Sequence, residues 1–298
     1  MKVIILGVTG TIGFPIAQAF LRAGHIVYGQ TRSESKVKQL ATEEITPIVC
    51  DPIDIDKWKH LLANVEAVIN ATATFGPDGP VKLLNLLTEA AKSVRPAYAA
   101  KLIFVEASGV WVHGDNRDEI VTDTTPTETP HPHAAWRAVH ERNVVSSTVL
   151  NGIVIRSPWL IGRSGSHLGN MLFPSAHAGE VIGIGTPGGR YSVIHQDDLA
   201  DAYLRAVERG SIVGGSIFDI ANEFTESVED VLATLSKVSG AKGYKFREPT
   251  NPFEKAACTT TRIRPYLART LLGWSPRKPG FVDGMEIYYA AWKASQGL

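Results

Sequence analysis

Apolar residues in the first half of the chain follow two alternating patterns. The short β-rich runs KVIIL (2–6), HIVYG (25–29), ITPIV (45–49), AVIN (67–70), KLIFVE (101–106) and GIVIR (152–156) are apolar almost throughout. Between them, IGFPIAQAFLRAG and VKLLNLLTEAAKSV repeat their apolar residues at the three- and four-residue spacing of a helix lying on a core. Strands apolar on both faces and separated by helices belong to a parallel sheet covered on both sides. The pattern predicts an α/β fold with a doubly wound parallel sheet. After about residue 157 it loosens into Gly-rich turns (GRSGSHLGN, GIGTPGGR) and interrupted helices, ending in a Trp-containing helix near 281–294. The predicted division is a core over 1–156, then a mixed segment over 157–298 that forms a smaller C-terminal substrate lobe and returns elements to the core. DTTPTETPHPH (123–133) reads as an extended loop, and PHAAWRAVHE (132–141) as a helical stretch that stacks His133 and Arg137 on one face.

Composition narrows the function classes. The chain has 298 residues, 44% of them hydrophobic, which is ample for a sizeable core. Thirty basic residues balance thirty acidic ones, so no overall field draws the chain to nucleic acid or anionic lipid, and a small molecule is the expected partner. No apolar run approaches bilayer-spanning length and the first strand starts at residue 2 without a basic leader, so a cytoplasmic protein with no membrane partner is expected. Cys50 and Cys258 form no CxxC pair, and His131, His133 and His140 are spaced too unevenly to converge, so no metal is expected.

GVTGTIG (7–13) follows the first strand directly and opens a helix, the context in which a glycine motif holds phosphates. Gly7 permits the tight turn, Gly10 lets backbone approach a pyrophosphate and Gly13 lets helix pack on strand, while Thr9, Thr11 and Ile12 complete the cradle. The helix end then offers unpaired N–H groups and a positive dipole. These residues predict a Rossmann-type dinucleotide site. After the second strand, Arg32 with Ser33 and Lys36 suits a 2′-phosphate, which favours NADP(H) over NAD(H). Glu34 argues the other way, and Ser33 suits a helix cap equally well. Asp51 and the segment Ala71, Thr72 and Ala73 follow the third and fourth strands, where an adenine and a ribose would lie; plain loop roles suit them too.

Taken in order along nearly the whole chain, these segments resemble the extended or atypical short-chain dehydrogenase/reductase superfamily, in its NAD-dependent epimerase/dehydratase branch. GVTGTIG looks like that family's GxxGxxG, CDPIDIDKWKHLL like its acidic turn after the third strand, and IRSPWLIG, with Pro158, like its Arg-Pro segment. YSVIHQDDLADAYLRAVE resembles its His-x-Asp-Asp-Leu-Ala helix start, and LLGWSP its Leu-Gly-Trp-x-Pro. The catalytic segment departs from the family. Where the family has Pro-Tyr-x-x-Ser-Lys followed by Glu, this chain has Pro132, His133, Trp136, Arg137 and Glu141; where it has Ser-Ser-x-x-Val-Tyr-Gly, the chain has SGVWVHG, with Ser108, Gly109 and His113.

The resemblance implies a Tyr that serves the substrate oxygen and a Lys that holds the nicotinamide ribose. Arg137 can bind ribose hydroxyls but cannot act as a base, whereas an imidazole, whose unperturbed pKa lies near working pH, suits His133 to exchange a proton. Ser108 and His113 are the alternative proton donors; satisfied core positions suit them equally. The family frame puts Trp111, Trp136 and Trp159 around the substrate mouth, as an apolar pocket for a ring-bearing metabolite; core packing is the competing role for each. Arg190 is one residue out of register with the arginine that sugar-nucleotide epimerases use on a diphosphate. The expectation is an NADP(H)-dependent oxidoreductase for a small apolar or ring-bearing carbonyl, imine or alcohol. A non-catalytic NmrA-like dinucleotide sensor and a redox-neutral epimerase, isomerase or lyase stand as alternatives, and the resemblance allows a homodimer.

Overall fold

The computed structural model describes residues 1–72 and 76–298. Its central sheet has seven strands. Five are β1 (Lys2–Leu6), β2 (Ile26–Thr31), β3 (Thr46–Val49), β4 (Ala67–Asn70) and β5 (Ile103–Gly109), joined by Asn151–Ser157 and Ile217–Asp219. Across the sheet the order is Ile217–Asp219, Asn151–Ser157, β5, β4, β1, β2, β3. β1 pairs in parallel with β2 on one side and β4 on the other, so the chain reverses its direction of winding next to β1. A doubly wound sheet leaves a crevice at that point, outside the carboxyl ends of the strands.

The apolar runs form strands because helices cover both faces of the sheet. α1 (Gly13–Arg22) buries Ile16, Ala17 and Phe20, the short α2 (Val37–Thr42) buries Leu40, and α3 (Asp78–Val94) buries Leu83, Leu84, Leu87, Ala90 and Ala91 at helical spacing. Leu87, Trp58, Phe104 and Val154 belong to one core cluster with Ile4 and Leu6 of β1.

Two compact units interleave along the chain. The first comprises 1–108, 136–156 and 200–218; the second comprises 109–135, 157–199 and 219–298. The second has its own core, in which Trp159, Phe173, Tyr191, Phe281 and Trp292 are buried together. Its strands are short pairs, such as Val193–His195 on Trp159–Ile161 and Tyr244–Arg247 on Val181–Ile184. The last helix runs from Met285 to Gln296, later than 281, because the chain turns through Val282–Gly284 first. No helix among the described residues is long and apolar enough to cross a membrane.

Candidate functional site

The glycine turn after β1 is tight by necessity. Gly7 adopts φ +74°, and the Gly10 amide donates to the Gly7 carbonyl at 3.0 Å. A Cβ at Gly7 would stand 3.0 Å from the Ala71 carbonyl oxygen, and one at Gly13 would stand 2.3 Å from the Gly7 carbonyl oxygen. α1 therefore begins directly against the end of β1. No side chain caps α1 and its first turn carries no acidic residue, so its positive end is open to an anion. Thr9 and Gly10 are exposed, Thr11 and Ile12 partly so. This cradle fits a dinucleotide diphosphate. Gln30 holds it from behind: its side-chain oxygen accepts from the Gly7 amide at 2.9 Å and its nitrogen donates to the Cys50 carbonyl. The pattern of apolar runs contains no signal for Gln30.

Arg32 and Ser33 are exposed immediately beyond β2. Ser33 shares a hydroxyl hydrogen bond with Ser35 and does not cap the following 3-10 turn, while Lys36 donates to Gln39 at 3.1 Å. Asp51 is exposed and accepts from the Ile53 amide at 3.0 Å, which shapes the turn after β3. Ala71 is buried, and Thr72 donates its hydroxyl to Asn70 at 2.7 Å. Ala73, the remaining expected contact, lies outside the described residues.

A polar network lies between β5 and α4 (Ala135–Val145). Glu106 and Ser108 are two apart on β5 and so share a face, and both are buried. Ser108 donates to Glu141 at 2.5 Å, and Arg156 grips the same carboxylate with contacts of 2.7 to 3.2 Å. Asn70 donates to both oxygens of Glu106, and His140 stands 3.7 Å from it. The half-buried Arg137 donates to the Ala107 carbonyl at 3.3 Å, with its guanidinium 4.5 Å from the Trp136 ring centre. Burial lowers the Arg137 pKa, while Glu106 and Glu141 favour its charged form. Burial likewise keeps the Tyr203 phenol un-ionised, raising its pKa far above the usual range.

The helix expected over 132–141 starts later. Pro132 to Ala134 form a 3-10 turn and α4 begins at Ala135, so His133 and Arg137 do not share one α-helical face. His131 caps this turn, its Nδ1 accepting from the His133 amide at 3.2 Å, while the Ala134 amide donates to the His131 carbonyl at 2.7 Å in the tighter 3-10 spacing. The same bond makes Nδ1 of His131 an acceptor. Burial first and the neighbouring His133 second lower the His131 pKa, which favours the neutral imidazole, and an acceptor Nδ1 puts its proton on Nε2 in that form.

In the second unit, Trp111, Trp159 and Phe253 form a mutual edge-on cluster, with ring centres 5.8 Å apart for Trp111–Trp159, 5.8 Å for Trp111–Phe253 and 6.2 Å for Trp159–Phe253. His133 meets Trp111 edge-on at 6.1 Å, and His131 lies 6.5 Å from it. Trp136 belongs to the first unit, where its ring contacts are His140 and Arg137. His113 is buried, with Nε2 2.8 Å from the buried Asp219 carboxylate. Pro158 is also buried, between two strands of the chain.

The profile of the NAD dependent epimerase/dehydratase family matches residues 3–221, almost three-quarters of the chain. The chain belongs to the NAD dependent epimerase/dehydratase family. A curated relative, the 3-diazoavenalumate denitrifying reductase of a Streptomyces species, is 25% identical, with coverage of 96% of this chain and 99% of that one. Among solved structures, the dTDP-glucose 4,6-dehydratase of Bacillus anthracis in complex with NAD superposes with a TM-score of 0.81 at 16% identity, over 100% of this chain and 98% of that one. The human epimerase family protein SDR39U1 with NADPH gives 0.73 at 17% identity, over 97% and 99%. These structural likenesses carry the Rossmann-like fold. The protein is thus an NAD(P)-dependent enzyme of the oxidoreductase or epimerase type.

Several segments that resemble family motifs have structural work in this epimerase/dehydratase-family protein. Gly162, at φ +83°, leaves room for the His195 ring, since a Cβ there would collide with the imidazole. Asp198 accepts from the Arg277 and Lys278 amides at 3.1 and 2.9 Å, and its carbonyl accepts from Trp274 at 2.9 Å, so Asp198 and the Leu-Gly-Trp segment hold one another. Arg190 donates to the Thr225 hydroxyl and carbonyl. Sequence reasoning missed Phe253, Asp219 and Glu106. Phe253 is 40% exposed although it touches two tryptophans, on the short helix Pro252–Ala257, whose Glu254 carboxylate accepts four hydrogen bonds, two from Arg247 and two from Thr250.

Proposed function

We propose that this protein is an NADP(H)-dependent oxidoreductase that reduces a carbonyl or imine, or oxidises the alcohol, of a ring-bearing apolar metabolite. The observation that carries the dinucleotide reading is the uncapped, acid-free amino end of α1 behind a turn in which Gly7 and Gly13 leave no room for a Cβ. NADP(H) is preferred because the exposed residue beyond β2 is Arg32, a donor suited to a 2′-phosphate, where an acid would suit a 2′-hydroxyl. A bound nicotinamide supplies the hydride chemistry.

The chain's own residues supply orientation and a proton. Arg137, fixed through the Ala107 carbonyl, holds ribose hydroxyls. His133 gives or takes the proton at the reacting oxygen; Ser108 and His113 are already committed to Glu141 and Asp219. Trp111, Trp159 and Phe253 form the apolar wall that receives the ring. Titration calorimetry with NADPH and NADH, followed by hydride transfer to matched aromatic and aliphatic carbonyls, tests the reading. Tighter binding of NADPH and turnover of an aromatic carbonyl are expected. Dinucleotide binding with no turnover of any carbonyl would replace the oxidoreductase with a sensor, and no dinucleotide binding would remove both.

A further inference from the structure

Phe253 is an apolar ring kept at the surface. Single exposed hydrophobic residues are ordinary, but this one is packed: its ring centre lies 5.8 Å from Trp111 and 6.2 Å from Trp159, edge-on in both cases, and Trp159 in turn meets Tyr191 edge-on at 6.2 Å. Exposure rises along this row of rings, from 3% at Tyr191 and 8% at Trp159 through the half-buried Trp111 to 40% at Phe253. Core packing accounts for the inner members and not for the last one.

The chain around Phe253 is built to hold it there. In TNPFE (250–254), Asn251 caps the helix Pro252–Ala257, its side chain accepting from the Glu254 amide at 2.9 Å, and Pro252 fixes the first turn. Phe253 stands between these anchors. Glu254 then binds what precedes the helix: its carboxylate accepts from the Thr250 amide at 2.7 Å, from the Thr250 hydroxyl at 2.9 Å, and from both terminal nitrogens of Arg247 at 2.7 and 2.6 Å. Exposed ion pairs generally contribute little, and a two-pronged Arg–carboxylate pair of this kind is the exception. Arg247 ends the strand Tyr244–Arg247, which pairs in parallel with Val181–Ile184, so the latch ties the helix to a strand pair. The helix itself buries Ala256 and Ala257, which is little apolar surface to set the direction of its first turn. It lies against the Pro132–Ala134 turn, and His133 of that turn meets Trp111 edge-on at 6.1 Å, so the imidazole and Phe253 border one aromatic cluster.

We propose that Phe253 selects a flat aryl ring over a saturated one in the substrate, and that Glu254 is the positioning residue that keeps it in the selecting place. The proposal rests on the reading above, in which this cluster receives the substrate ring. An aryl group gains an edge-to-face contact with an aromatic wall that a cyclohexyl group of similar size does not, whereas both leave water on entering. Glu254 acts on the substrate only through Phe253. Loss of the latch therefore removes the ring preference and leaves the affinity for a saturated ligand nearly unchanged.

The experiment measures the dissociation constants of acetophenone and of cyclohexyl methyl ketone for the full chain with excess NADP+, by ligand-observed NMR, which needs no turnover. The wild-type protein should bind acetophenone about tenfold more tightly. Phe253→Leu keeps an apolar side chain and removes the π face, so the ratio should fall to about twofold with the affinity for cyclohexyl methyl ketone within about twofold of wild type. Glu254→Gln should lower the ratio by about threefold or more alone, and by less than about 1.5-fold when added to Phe253→Leu, the pattern of a residue that works through another. A ratio unchanged in either single variant overturns the proposal, and a persisting wild-type preference for acetophenone then leaves the ring-receiving reading in place. Equal effects of Glu254→Gln in the two backgrounds give Glu254 a structural role only and overturn the proposal as well. If Glu254→Gln does not fold, Arg247→Gln opens the latch from its other side and is judged by the same ratios. A wild-type chain that binds the two ketones equally overturns the proposal alone, whereas one that binds neither overturns the reading beneath it too.

Discussion

Adding one methyl group at Gly13 tests the cradle directly. In Gly13→Ala the new Cβ would lie 2.3 Å from the Gly7 carbonyl oxygen, 2.8 Å from Val8 Cα and 2.9 Å from the Gly7 carbonyl carbon. All three are backbone atoms at the end of β1, so no flexible side chain can give way. Restoring an ordinary contact moves the start of α1 by about 1 Å, an overpacking that costs about 1–3 kcal/mol. At roughly 2–4 °C per kcal/mol for a chain of this order, the melting temperature should fall by several degrees. Binding should suffer more. A 1 Å retreat lengthens each amide contact to a phosphate beyond hydrogen-bond range, and losing one or two charge-assisted bonds at about 1.5–3 kcal/mol each weakens NADPH by about a hundredfold. Gly10→Ala places its methyl 3.3 Å from the Gly7 oxygen, so its melting temperature should stay near wild type. Calorimetric titration with NADPH beside thermal unfolding checks both numbers. A Gly13→Ala protein that binds NADPH within threefold of wild type would refute the claim that the approach of α1 to β1 builds the phosphate site.

Three further outcomes are expected. Replacing the exposed Arg32 with Ser should weaken NADPH by about tenfold and change NADH by less than threefold, the loss of one charge-assisted contact; parallel losses on the two titrations would mean that Arg32 does not read the 2′-phosphate. His133→Phe should cut turnover by about 10²-fold or more and leave the NADPH dissociation constant within twofold, and an unaltered rate removes His133 from the proton transfer. His195 is buried and its Nδ1 accepts from the Asp197 amide at 3.0 Å; burial is the main cause that lowers its pKa from the usual value near 6.5. A depressed folded-state value means that its contribution to stability is present above about pH 6.5 and is lost as pH falls through the lower folded value. Melting curves from pH 8 to pH 5 should therefore fall below about pH 6.5, and His195→Gln should flatten that fall; equal slopes in the two proteins count against the assignment.

What the sequence by itself determined is the part encoded between near neighbours. Runs apolar on both faces specify buried parallel strands wherever they fall, and GVTGTIG specifies a turn and a helix start, because the positive φ of Gly7 and the clash of a Gly13 Cβ with the Gly7 carbonyl both arise within seven residues. Those two features carried the fold and, with the ordered motifs that follow them, the family. Tertiary structure decided what the polar side chains do. Ser108 and His113 each had the chemistry of a proton donor, yet their partners, Glu141 and Asp219, lie 33 and 106 residues away. Nothing local signals which pairings form, because burial and contact are properties of the packed chain. Glu106, which reads as one polar break in an apolar strand, became the centre of a buried network when β4 and α4 packed on either side of it.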